Sequence, residues 1–173
     1  HLICRIIRRR VLYNQHFIFR RGVYVADRGV SEEVDADLKA VVTGTRAAVA
    51  EKMKELKVAD SLTEIFGIFR RCNKYIDETE PWVLAKNEAK KDRLATVLYN
   101  LIESITIGTT LLAPFMPETA ENIFAQIGAS AREFDDLDKF GLYESGTKVT
   151  EKPEILFARR DLKEVLEQVD NLK

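Results

Sequence analysis

Residues 91–113, "KDRLATVLYNLIESITIGTTLLA", contain no proline and a single glycine. Leu94, Val97, Leu98, Leu101, Ile102, Ile105, Leu111 and Leu112 recur at helical spacing and spread over much of the helix circumference. A helix that is apolar on most of its sides must be wrapped by other elements. This stretch therefore predicts a central helix, and the rest of the chain must supply amphipathic partners around it.

The flanking sequence supplies them. Residues 2–21 lack glycine and proline and predict a first helix. "ADRGVSEEVD" reads as a turn and a helix start. Ser31 is a candidate cap, and Glu32 and Glu33 suit the positive end of the helix dipole. A second helix then runs to about Leu56, with Leu38, Val41, Val42, Ala48, Val49, Met53 and Leu56 as its apolar positions. In "DSLTEIFGIFRRCNKYIDE", Ser61 and Glu64 have the spacing of a capping box. Leu62, Ile65, Phe66, Phe69, Cys72 or Asn73, and Ile76 form one apolar stripe. Pro81 ends this helix because it has no N–H and restricts Glu80 before it. Another break falls at Pro114, with a restart at Pro117 and a stop at Gly128. Residues 129–153 read as irregular, and "RRDLKEVLEQVDNLK" (159–173) reads as an amphipathic terminal helix. No segment alternates as a strand, and no repeat is visible. The predicted fold is all-α, a single antiparallel bundle of about five or six helices spanning residues 1–173.

Composition narrows the function classes. Hydrophobic residues make up 46% and charged residues 32%, a helix-leaning globular balance. No apolar run reaches the roughly 20 residues of a membrane span, and no signal peptide is recognisable. Cys4, Cys72, His1 and His16 have no metal-ligand spacing, so the reading is no metal and a reducing, cytosolic setting. Nucleophile elbow, glycine-rich phosphate loop and HExxH are all missing, which predicts a binding module with no catalytic residues and no cofactor of its own. Charge is uneven. Residues 1–30 hold Arg5, Arg8, Arg9, Arg10, Arg20, Arg21 and Arg28 against Asp27, or 7 − 1 = +6, while the whole chain is −1. Such a block fits either a face that meets phosphate or a solvated arginine-rich helix.

The chain's one tryptophan, Trp82, follows Pro81 in "NKYIDETEPWVLAK" (73–86). Asn73 and Asp77 are four apart and share a helix face just before that corner. An amide, a carboxylate and an indole gathered at one bundle end suit single-stranded RNA, whose splayed bases stack on aromatic rings and present polar edges. The competing reading makes Trp82 a plug beneath the Pro81 corner. Arg70, Arg71 and Lys74 off the apolar stripe are either phosphate contacts or solvated charges.

"NKYIDETEPWVLAK", then "LLAPFMPETAENIF" about 25 residues later, then "LFARRD", together resemble the C-terminal anticodon-binding domain of bacterial methionyl-tRNA synthetases. The likeness runs from about residue 26 to 162. It implies a helix bundle that binds the anticodon stem-loop of a tRNA and recognises CAU. By that resemblance Trp82 stacks on the first anticodon base and Asp77 lies beside it. The family's other readers sit on the first bundle helix in a GNLxxR-like pattern. Placing its arginine on Arg9 puts Arg5 at the asparagine and Cys4 at the glycine, so the asparagine is replaced. "HLICRIIRRRVLYNQHFIFRR" departs from the family throughout, through ordinary divergence or through a frame slip that replaced the first helix. The resemblance further implies a parent enzyme whose separate catalytic domain joins methionine to tRNA with ATP in the cytoplasm. Its HIGH-like and KMSKS signatures are missing from this chain. The alternative function is a helical protein-interaction module without specific RNA contact.

Overall fold

The computed structural model describes residues 29–150, Leu156 and the backbone of Tyr24 and Val25. Helices α1 (Glu33–Lys54), α2 (Val58–Thr79), α4 (Lys91–Leu112) and α5 (Pro117–Ile127) build the bundle, with α3 (Pro81–Leu84) a single turn between α2 and α4. Short 3₁₀ turns cover Glu88–Lys90 and Phe134–Asp136. Among the described residues these are four long helices and one short turn of helix, slightly fewer long helices than the about five or six helices expected for the whole chain. The predicted helices at 2–21 and 159–173, with Arg5 and Arg9, lie outside the described residues.

The central helix is where its sequence demands. α4 packs against α1, α2, α3 and α5, and Val97, Leu101, Ile105, Ile107, Leu111 and Leu112 are all buried. By length and composition the stretch Glu88–Leu112 could cross a membrane, but 78% of that apolar window is buried within the protein. Its hydrophobic surface serves as the core. Gly108 lets α4 approach α2 closely. A Cβ there would stand 3.1 Å from Phe69 Cζ and 3.2 Å from Ile68 Cγ2.

Helix starts differ from the sequence expectation. Glu32, not Ser31, caps α1, and its N–H donates to Asp35 Oδ2 at 2.9 Å. α2 begins at Val58, so Ser61 is no cap. It lies inside the helix, buried, with its hydroxyl on the Lys57 carbonyl. The reason lies in the turn before it. Lys57 N–H bonds to Lys52 O and Leu56 N–H to Met53 O, with Leu56 left-handed at φ 58°, a complete reversal that starts α2 early. The buried stripe of α2 is also rotated relative to the expected one. Ile65, Ile68, Phe69, Cys72, Tyr75, Ile76 and Thr79 are buried, whereas Leu62 and Phe66 are half-buried. On α1 Val41 faces solvent, and Thr45 takes the inner position. Burial pushes the Cys72 thiol up to about 12, so it is an inert core residue.

The region 129–150 is irregular, as expected, but a buried carboxylate organises it. Glu103 of α4 is fully buried and accepts both Arg132 guanidinium nitrogens at 2.7 and 2.6 Å. The N–H groups of Gly141, Leu142 and Tyr143 converge on the same carboxylate at 2.8, 3.0 and 2.9 Å. Tyr99 and Tyr143 pack edge to face, and Tyr99 donates to the Tyr143 carbonyl at 2.9 Å. One strand pairing, absent from the sequence reading, closes this side. β1 (Tyr24–Val25) and β2 (Thr147–Lys148) form a two-residue antiparallel ladder.

Candidate nucleic-acid interface

The corner at the end of α2 is made by one residue. Thr79 ends the helix with its hydroxyl on the Tyr75 carbonyl at 2.7 Å, and Glu80 then turns left-handed at φ 43°. Glu80 closes α2 by donating its N–H to Ile76 O at 3.1 Å. Its carbonyl opens α3 by accepting from Val83 at 2.7 Å and Leu84 at 3.2 Å. A left-handed glutamate is an uncommon conformation, held here by bonds on both sides. Pro81 takes the first helical position, which needs no N–H donor.

Trp82 follows directly and is half-buried, packed against the main hydrophobic cluster. Trp82 is therefore neither the fully buried plug nor a fully exposed ring. Asp77 is exposed and Asn73 half-buried, one turn apart on α2. Tyr75 lies between them in sequence and points the opposite way, into the core. Asn73 and Asp77 thus lie in the last two turns of α2, and Trp82 in the single turn that follows it. Arg5 and Arg9 fall outside the described residues, so their relation to this group is not shown.

The basic residues nearby divide. Arg71 is committed internally. It donates to Glu78 Oε2 at 2.9 Å and to the Val34 carbonyl at 3.3 Å, lies 6.0 Å from the Tyr75 ring, and its side chain is 12% exposed. Lys74 is 72% exposed with a loose 3.5 Å contact to Glu78, and Arg70 is exposed with one nitrogen on the Thr63 carbonyl. Only the latter two suit an external phosphate. A cleft of about 530 Å³ elsewhere is lined by Arg132, Glu133, Asp136 and Glu144, among others. Its lone arginine is already paired with Glu103, and the excess of carboxylates disfavours RNA there.

Between α1, α2 and α4 lies a polar cluster that sequence reasoning missed. Arg93 of α4 donates to both Asp35 oxygens, at 2.6 and 2.9 Å, and to the Val30 carbonyl at 2.9 Å. Tyr75 donates to Asp35 Oδ1 at 2.6 Å, and Asn100 donates to the Tyr75 hydroxyl at 3.2 Å. All four side chains are buried. Burial disfavours both charges, yet the hydrogen bonds from Arg93 and Tyr75 hold the Asp35 carboxyl below its ordinary value. Burial and Asp35 together push the Tyr75 phenol up. The available signal was the presence of Arg93 and Asn100, seven apart, on the most apolar of the long described helices. Among the described residues no cluster of His, Cys, Asp or Glu could hold a metal ion.

Comparison with known proteins identifies the family. Residues 25–169 match the family described as the anticodon binding domain of methionyl tRNA ligase. Relatives include the methionine–tRNA ligase of Clostridium acetobutylicum, 43% identical over 142 residues, covering 82% of this chain and 22% of that protein. The Bacillus subtilis methionine–tRNA ligase is 37% identical over 156 residues, covering 88% of this chain and 23% of that protein. Among solved structures, Mycobacterium tuberculosis methionyl-tRNA synthetase in complex with methionyl-adenylate superimposes with a TM-score of 0.73 at 26% identity. It covers 91% of this chain and 33% of the synthetase. The chain spans about a fifth of the length of the curated relatives it matches. By sequence family and by fold, this chain belongs to the anticodon-binding domains of methionyl-tRNA ligases.

Proposed function

We propose that this chain binds the anticodon stem-loop of a tRNA and recognises CAU, with the first anticodon base stacked on Trp82. Asp77 and Asn73 read polar edges beside it, and Arg9 and Arg5 add contacts from the segment preceding the described residues. The observation that carries this reading is the chain's one tryptophan, half-buried against the core directly after the left-handed corner that ends the helix carrying Asn73 and Asp77. A base placed on the open part of such a ring gains stacking energy without the ring having to reorganise. Arg70 and Lys74 meet phosphates. On this reading the chain contributes binding alone, with catalysis and cofactor chemistry left to the rest of the parent protein. The parent ligase supplies the catalytic domain that joins methionine to tRNA with ATP, in the cytoplasm.

Titration of an RNA hairpin with a CAU loop, beside the same hairpin with an altered loop, tests this. Stacking is worth roughly 1–3 kcal/mol per base, so Trp82→Ala weakens CAU binding about 5- to 150-fold. Affinity falls as salt rises, in proportion to the phosphates contacted. Equal affinity for both loops points instead to the protein-interaction reading, and undiminished binding by Trp82→Ala removes the stacking role.

A further inference from the structure

The Asp35–Arg93–Tyr75–Asn100 cluster sits directly behind the reading face of α2. Buried ion pairs are seldom the most stable way to fill a core, and apolar side chains of similar volume often do as well or better. What such a pair supplies is direction. An apolar contact between helices tolerates sliding and rotation, whereas a two-pronged arginine–carboxylate grip fixes angles. Here Arg93 on α4 grips Asp35 on α1 through both nitrogens, and Asp35 takes the Tyr75 hydroxyl of α2 on the oxygen bonded to Arg93 Nη2. Three helices thus meet at one carboxylate. Arg93 also holds the Val30 carbonyl, and Thr96 accepts the Val30 N–H at 3.3 Å, so the segment leading into α1 is tied to the same point.

Tyr75 is flanked by Asn73 and Asp77, and at 100° per residue both lie on the side of α2 opposite to it. Whatever fixes the rotation of α2 at Tyr75 therefore fixes where Asn73 and Asp77 point. A rotation of 20° moves groups at an outer radius of about 5–6 Å by about 2 Å. That is far more than a hydrogen bond to a base edge tolerates.

We infer that Tyr75 and Arg93 are positioning residues for RNA recognition: their shared grip on Asp35 sets the rotational phase of α2 and so aims Asn73 and Asp77 at the bound loop. This rests on the function proposed above. The hydroxyl of Tyr75 is the component that can be removed with least disturbance, since Tyr75→Phe keeps the ring in the core.

The test uses the full chain, hairpins with CAU and altered loops, and temperatures well below each variant's melting midpoint. Tyr99→Phe is the control. It also deletes a buried tyrosine hydroxyl, one bonded to the Tyr143 carbonyl and remote from α2. Tyr75→Phe is expected to retain its helical circular dichroism and its affinity for the altered loop, but to lose about fivefold or more of its CAU preference. Arg93→Lys, which keeps the charge but not the two-pronged grip, is expected to lose preference likewise, and Tyr99→Phe to keep it. If Tyr75→Phe and Arg93→Lys retain full preference, or if Tyr99→Phe loses as much, the cluster only stabilises the fold and the inference is overturned. If the unaltered chain shows no preference, the proposed function fails and this inference fails with it.

Discussion

Changing Glu103 to glutamine removes a charge while hardly altering shape, and the structure sets the cost. The carboxylate is fully buried and accepts five hydrogen bonds, two of them from Arg132. A glutamine amide oxygen can keep the bonds from Gly141, Leu142 and one arginine nitrogen. Its NH₂ group then faces the other arginine nitrogen and the Tyr143 N–H, donor against donor. Arg132, whose side chain is 11% exposed, loses its hydrogen-bonded counter-charge. Breaking a buried pair from one side costs about 3–5 kcal/mol. With a urea m-value of about 2 kcal/mol/M, the denaturation midpoint should fall by about 2 M. Amide exchange at Gly141, Leu142 and Tyr143 should accelerate as well, because their shared acceptor is damaged. A loss below about 1 kcal/mol for Glu103→Gln at unchanged m would refute the view that this carboxylate organises residues 129–150.

Acid should act through the same groups. Burial alone would raise the Glu103 and Asp35 carboxyls, but bonds from Arg132 and from Arg93 and Tyr75 hold them below their reference values of 4.5 and 3.8. A depressed folded-state pKa gives stability that is present above the unfolded value and lost as pH falls through the folded one. Thermal midpoints should therefore be flat toward neutral pH and drop below about pH 4.5, and Glu103→Gln should blunt that drop. Gly108→Ala should destabilise by about 1–3 kcal/mol in chemical denaturation, because the new methyl meets Phe69 and Ile68 at 3.1–3.2 Å. Leu56→Gly should stabilise by about 1 kcal/mol in the same assay. Leu56 is 82% exposed and left-handed, so it gives up little packing and relieves its strain.

The helices were legible where one residue type repeats at helical spacing. Residues 91–113 announced a central helix, and Pro81, Pro117 and Gly128 marked boundaries through their own backbone chemistry. The caps were not legible. Ser31 and Ser61 have suitable side chains, but Asp35 is recruited by Arg93 from 58 residues away, and the Leu56 reversal starts α2 ahead of Ser61. Local preference yielded to tertiary bonds. The polar clusters were hidden for the same reason. A lone arginine or glutamate on a helix reads as surface until its partner, 29 residues away for Glu103 and Arg132, is known. At the candidate interface, the shared helix face of Asn73 and Asp77 and the break before Trp82 could be read from helical phase and one proline. The left-handed Glu80 that completes the corner could not, since nothing in a glutamate's chemistry favours that conformation.

Trp82, being the chain's one tryptophan, makes its fluorescence a direct report on the central claim. Adding the CAU hairpin should quench and shift that emission in a saturable titration, with the midpoint matching the binding constant from an independent probe. An altered loop should produce far less change at equal phosphate concentration. Tight, loop-selective binding that leaves the Trp82 emission untouched would contradict the account, because the base would then be held somewhere other than on this ring.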